Sequence, residues 1–154
     1  MKIGFFDIDG VFNRFTDKVG DPDIDKTLVK LANQLVDANT RFVISSSWRY
    51  HHGVREFQRE FEAAGFEGKI IDSTTCINTR LDGTTISRGD QILLWIETHR
   101  EHIDSYVILD DFTTLGCPEV EDHWVKIDSS IGLTQANIDS AKLILDNNNG
   151  KENI

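Results

Sequence analysis

The feature that most constrains this chain is an alternation. Short apolar runs of strand length take turns with longer stretches whose apolar residues recur at helical spacing. Lys2–Phe6, Arg41–Ile44, Lys69–Ile71, Tyr106–Leu109 and Trp124–Ile127 read as strands. Asp25–Ala38 carries Leu28, Leu31, Ala32, Leu35 and Val36 on one face, with Asp25 as its N-cap. Gly53–Ala64 aligns Phe57, Phe61 and Ala64 and stops at Gly65. Arg88–His99 buries Ile92, Leu93, Trp95 and Ile96, and Thr134–Leu145 is the last helix. Strands separated by helices predict an α/β fold, a mainly parallel five-stranded sheet with helices on both faces. The 154 residues are the length of one domain. We expect it over residues 1–147, with 148–154 as a frayed polar tail.

In a parallel sheet with right-handed crossovers, all strand C-terminal ends lie on one edge. Ligands bind in the crevice at that edge. Three of the expected strand ends carry acids or hydroxyls: Asp7-Ile8-Asp9-Gly10, Ser45-Ser46-Ser47 and Asp110-Asp111. Carboxylates held together repel and raise one another's pKa unless something compensates. A hard divalent cation compensates, and Mg²⁺ takes one or two carboxylates together with waters and phosphate oxygens. The acid cluster thus points to a metal and to an anionic substrate, with the serines donating to phosphate oxygens. Alternate residues of extended chain face the same way, so Asp7 and Asp9 meet one substrate together. One carboxylate serves as nucleophile and the other as general acid and base. Gly10 permits a sharp turn after them.

Composition removes several alternatives. Asp and Glu total 26 against 16 Lys and Arg, a formal charge of -10. Such a chain lacks the basic footprint of strong non-specific nucleic-acid binding and gains nothing from an anionic membrane. No apolar stretch approaches the roughly 20 residues of a membrane helix. Cys76 and Cys117 form no Cys-x-x-Cys pair, so neither a zinc ribbon nor a redox motif is present. A soluble, unprocessed protein in the reducing cytoplasm is the expectation. Asp-x-Asp-Gly is not a calcium loop, because its glycine is fourth and a Phe-rich strand precedes it. No Gly-x-x-x-x-Gly-Lys occurs, which excludes a nucleotide P-loop.

Phe5-Phe6-Asp7-Ile8-Asp9-Gly10-Val11 resembles the first motif of the haloacid dehalogenase (HAD) superfamily of phosphohydrolases. Phe42-Val43-Ile44-Ser45 resembles its second motif and Val107-Ile108-Leu109-Asp110-Asp111 its fourth. Arg88 is the best match to the third, which is often a lysine. Ser46-Ser47-Trp48-Arg49, Arg88-Gly89-Asp90-Gln91-Ile92 and Gly132-Leu133-Thr134 are similar to the small HAD domains of Swiss Army knife RNA-repair proteins. The resemblance implies a Rossmann-like, HAD-like domain that hydrolyses a phosphate monoester with Mg²⁺.

It also implies roles. Asp7 is the nucleophile that carries an aspartyl-phosphate. Asp9 is the acid and base, and its backbone carbonyl reaches Mg²⁺. Asp7, Asp110 and Asp111 supply the other metal contacts. Ser45 holds a phosphate oxygen, with Ser46 as the alternative. Arg88 offsets negative charge, although arginine in place of lysine changes the geometry. Arg49 is a candidate for a leaving group or a second phosphate, and Gly10 for the turn beside the substrate. HAD insertion points fall within 12–41 and 50–87, which hold little beyond core elements, so the domain is expected to be capless and open. The substrate is then a nucleotide, a nucleic-acid end or a small phosphate ester closed over by loops 12–23 and 72–88. A catalytically idle phosphate- or partner-binding domain and a phosphotransferase are the alternatives.

Other features carry simpler expectations. Arg80 is a solvated loop residue, and His99 and His102 are solvent-facing rather than ligands. Asp21, Asp23 and Asp25 cap a helix. Trp95 and Trp124 belong to the core.

Overall fold

A computed structural model describes residues 1–14 and 23–147. The strands are β1 (Lys2–Phe6), β2 (Thr40–Ile44), β3 (Ile70–Ser73), β4 (Ser105–Asp110) and β5 (Trp124–Lys126). The helices are α1 (Lys26–Ala32), α2 (Val54–Ala63), α3 (Arg88–Thr98) and α4 (Gln135–Asp146). The sheet order is β3-β2-β1-β4-β5, and every pairing is parallel. The expected α/β, Rossmann-like architecture is the one observed.

Alternation along the central strands divides the core. Phe6 and Ile44 face α1, α2 and α4, where Leu28, Val29, Phe57, Phe61, Ile138 and Ala141 pack against them. Phe5 and Val43 face the other way, toward Ile92, Trp95 and Ile96 of α3. Helices therefore cover both faces, and β1 and β4 are buried between them.

The first helix is shorter than the pattern implied. It stops at Ala32 and tightens into a 3₁₀ turn, Asn33–Leu35, which still buries Leu35. The reason is local. Asp37 Oδ1 accepts from the Asn39 amide and the Thr40 hydroxyl, closing a turn that a helix through Ala38 would forbid. Segment 72–87 is no featureless loop either. Thr79 and Thr85 form an antiparallel bridge, and Gly83 turns the chain at a φ of +87°. That hairpin hands the chain to Ser87, whose side chain caps α3 in a reciprocal box with Asp90.

The described parts of 12–41 and 50–87 are core elements and this hairpin, with no inserted domain among them. The expected tail, 148–154, and residues 15–22, with Asp21 and Pro22, lie outside the described residues. Asp25 caps α1 as expected, accepting from the amides of Thr27 and Leu28. No helix among the described residues is long and apolar enough to cross a membrane.

Candidate active site

The residues that end β1, β2 and β4 meet at the carboxyl edge of the sheet. Register brings this about: Phe6 pairs with Ile44 on one side and Leu109 on the other. Asp7 and Ser45, one residue past β1 and β2, therefore stand level with Asp110, the last residue of β4. Main-chain bonds hold them there, from the Asp7 amide to Leu109 O at 3.0 Å and from the Ser45 amide to Phe6 O at 2.9 Å.

Asp7, Asp110 and Asp111 each present a carboxylate oxygen, all within 4.8 Å of one another. Asp7 and Asp110 are buried and Asp111 is half-buried. Among the described residues, Arg88 is the cation that answers these acids. Its Nη1 lies 3.1 Å from Asp7 Oδ1 and 3.0 Å from Asp110 Oδ2. Arg88 opens α3, and the Gly89 amide donates to Leu115 O at 2.8 Å, which anchors the helix start beside the β4 loop. The Phe112 ring lies 4.0 Å from the guanidinium carbon and packs against its face.

The electrostatics follow. Burial, then the charge of Asp110, pushes the Asp7 carboxyl up to about 8, although Arg88 opposes the rise. Burial also raises Asp110, against the pull of Arg88 and the Phe112 amide. Burial works against the Arg88 charge, but Asp7 and Asp110 outweigh it and raise its pKa. The cluster thus lacks positive charge. Its donors are all hard oxygens, the set that suits Mg²⁺. The residues present fit that ion.

Asp9 stands apart from the three acids. Trp48 Nε1 donates to Asp9 Oδ2 at 2.9 Å, and Asn13 Nδ2 donates to Asp9 Oδ1 at 3.0 Å. Both oxygens are oriented, and each keeps a lone pair. Gly10 is required by its backbone, with a φ of +79°. It is required by space as well, since a β-carbon there would lie 2.8 Å from Asp111 Cγ. Gly10 thereby lets the Asp111 carboxylate approach the first strand.

Ser45 Oγ is fully buried, with no hydrogen-bond partner among the described protein groups. Ser46 is differently placed. Its Oγ accepts from the Trp48 amide and caps the 3₁₀ turn Ser47–Tyr50. Arg49 does not reach into the crevice as a free cation. It donates to the carbonyls of Ser45, Ser46 and Thr75 and to Gln91 Oε1, so it ties the β2 loop to α3. Arg80 pairs with Asp90 at 3.1 Å. His99 stacks on Trp95 with ring centroids 3.9 Å apart, and Trp95 donates to Asp72. Trp124 donates to the Asp110 carbonyl at 3.1 Å and steadies that strand end.

Sequence reasoning did not find Asn13, Phe112 or Gln91. Asn13 had a usable signal, since Asn side chains bond nearby backbone in turns: its Oδ1 accepts from the Gly10 amide at 2.8 Å. Phe112 and Gln91 act across the fold: Gln91 lies in the Arg88-Gly89-Asp90-Gln91-Ile92 motif, but its partner Arg49 is 42 residues away.

The open face beside Asp9 is a pocket of about 330 Å³. A second cavity, about 640 Å³, lies at the opposite edge, where Ser105 and Tyr106 open β4, and it holds none of these acids.

No curated protein and no solved structure matches this chain. A family model does, over residues 3–138, and its description is the HAD domain in Swiss Army Knife RNA repair proteins. That span takes in all three strand ends, Arg88 and the Gly132 turn. With its all-parallel sheet and its acids gathered on one edge, the chain belongs to the family of HAD domains found in Swiss Army Knife RNA repair proteins.

Proposed function

We propose that this domain is a Mg²⁺-dependent phosphatase that hydrolyses a phosphate monoester through Asp7. The observation that carries the reading is the close set of Asp7, Asp110 and Asp111 oxygens beside the Arg88 guanidinium. Asp7, Asp110 and Asp111, with the Asp9 carbonyl, would hold the ion. When bound, it neutralises carboxylate and phosphate charge and favours the ionised form of Asp7.

The chain's own groups then divide the work. An Asp7 oxygen attacks phosphorus as the bond to the leaving oxygen breaks, giving an aspartyl-phosphate. Asp9, in its protonated form, delivers a proton to that leaving oxygen. In the second half, Asp9 takes a proton from water as the water oxygen attacks phosphorus. The acyl-phosphate bond breaks, Asp7 is regenerated and inorganic phosphate leaves. Ser45 Oγ donates to a phosphate oxygen, which gives a purpose to its unpaired buried hydroxyl. Arg88 stabilises charge on Asp7 and the phosphoryl oxygens.

The test is hydrolysis of a generic aryl phosphate. Activity is expected with Mg²⁺ and is lost with a chelator or in Asp7→Asn. Turnover that survives Asp7→Asn rules the mechanism out.

A further inference from the structure

The direction in which the leaving group departs can be read from Asp9. A group that protonates the leaving oxygen must touch it, so the remainder of the substrate lies on that carboxylate's open side. That side is the pocket of about 330 Å³ lined by Asp9, Ser47, Trp48, Tyr50, His51 and His52. Four of these six side chains are aromatic rings. The described lining contains no lysine or arginine, so it offers no fixed cation to a second phosphate. Its volume is at the lower end of small-ligand pockets, roughly 300–1,000 Å³.

The walls are held in place. Trp48 is fixed at its indole nitrogen by Asp9 and at its amide by Ser46. Tyr50 is 43% exposed, and its ring is backed by the Arg49 guanidinium, 4.9 Å from its centroid. Arg49 is itself buried, and its donors are taken by three carbonyls and Gln91. His52 closes the side wall, 5.8 Å from Trp48 between ring centroids, with its Nδ1 3.0 Å from Glu56. An exposed ring stiffened from behind is a stacking platform, and base stacking on aromatic side chains is tolerant of sequence.

We infer that this pocket is the leaving-group subsite and takes the base of one nucleoside by stacking, without engaging a polynucleotide track. The inference rests on the phosphatase reading, in which Asp9 protonates the leaving oxygen. The lack of lysine and arginine in the described lining and the charge of -10 both argue that a longer polyanion gains little here.

The probes are a nucleoside 5′-monophosphate, ribose 5-phosphate and a 5′-phosphorylated oligonucleotide of about ten residues. The nucleoside monophosphate is expected to exceed ribose 5-phosphate in kcat/KM by roughly ten- to a hundredfold, on the scale of base stacking. Tyr50→Ala narrows that ratio to within about threefold, and Tyr50→Phe preserves it. The oligonucleotide stays within about threefold of the mononucleotide and shows a shallow salt dependence. Equal rates on the first two probes, or a ratio that ignores Tyr50→Ala, overturns the subsite. An oligonucleotide advantage of about tenfold or more that collapses with salt overturns the single-base limit, because it needs phosphate contacts. Calorimetry on Asp7→Asn, with and without Tyr50→Ala, decides the pocket independently of turnover. If no phosphate is hydrolysed but the nucleoside monophosphate still binds better than ribose 5-phosphate through Tyr50, the phosphatase reading fails and the pocket stands as a base-stacking site alone. If binding shows no such preference, the subsite fails whatever the activity.

Discussion

The Trp48 indole donates a hydrogen bond to Asp9 Oδ2 at 2.9 Å, across 39 residues of sequence. It fixes the carboxyl that the proposed mechanism needs to face the leaving oxygen. Trp48→Phe keeps an aromatic wall and deletes this donor, leaving the Asn13 amide to orient Asp9. The expected result is a fall in kcat of about tenfold with little change in KM, since an orientation is lost rather than a binding surface. Loss of stability should be about 1 kcal/mol for the hydrogen bond, plus the packing that the smaller ring gives up against the core. Steady-state kinetics and urea denaturation measure both. A large rise in KM with kcat intact would assign Trp48 to binding alone.

Gly10 and Gly83 separate two costs that usually come together. Both have left-handed backbone, with φ of +79° and +87°. A β-carbon on Gly83 meets nothing within 4 Å, whereas one on Gly10 meets the Asp111 carboxylate and the Ser129 β-carbon. Gly83→Ala should therefore cost only the backbone term, about 1 kcal/mol. Gly10→Ala adds displacement of Asp111 and should cost at least twice as much, with weakened cation binding. Denaturation midpoints and calorimetric Mg²⁺ titration of the two variants give the comparison. Equal costs would mean that Asp111 yields freely and needs no glycine opposite it.

Much of this site was legible in the sequence because strand ends announce themselves. An apolar run that stops at a carboxylate marks both the end of a strand and the side of the sheet that holds the chemistry. Asp7, Ser45 and Asp110 were readable in that way, and parallel pairing then brings them together. Boundaries were less readable. Lys69–Ile71 reads as three residues, yet β3 runs Ile70–Ser73, because pairing with β2 carries the polar Asp72 and Ser73 into the sheet. Arg49 shows the deeper limit. Its position beside the serines suggested a ligand, but whether a cation meets substrate or carbonyls depends on Thr75 and Gln91. No local pattern encodes those partners. The same holds for Phe112 over Arg88.

The acid cluster predicts an unusual dependence of stability on pH. Burial and the charge of Asp110 push the Asp7 carboxyl up to about 8, and burial raises Asp110 as well, from ordinary values near 3.8. Between those limits the folded state binds more protons than the unfolded state, so unfolding free energy falls as pH rises from about 4 to about 8. Asp25 and Asp37, lowered by amide and side-chain donors, act in the opposite sense but only below about pH 4. With a chelator present, the protein should lose a few kcal/mol, in order of magnitude, between about pH 5 and pH 8. Asp7→Asn should flatten that slope, and Mg²⁺ should restore stability mainly at the alkaline end. Stability that holds level or climbs over this range in chelator would contradict the burial of an uncompensated carboxyl at Asp7.

Ser45 offers the sharpest separation of function from stability. Its hydroxyl is fully buried and unpaired among the described protein groups, a state that costs about 1–3 kcal/mol. Ser45→Ala removes the polar atom and opens little space, so the variant should be as stable as the parent or more so. Its kcat/KM should nevertheless drop about ten- to a hundredfold, the value of one hydrogen bond to a charged phosphate oxygen. Thr74 provides the comparison. Its Oγ1 is the other buried, unpaired hydroxyl in the described residues, and it follows β3 as Ser45 follows β2. Thr74→Val should share the stability effect without the loss of activity. Thermal unfolding and steady-state kinetics on the pair decide the matter. If Ser45→Ala is destabilised by more than about 1 kcal/mol, its hydroxyl serves the fold. If it is stable and fully active, the phosphate contact is not there.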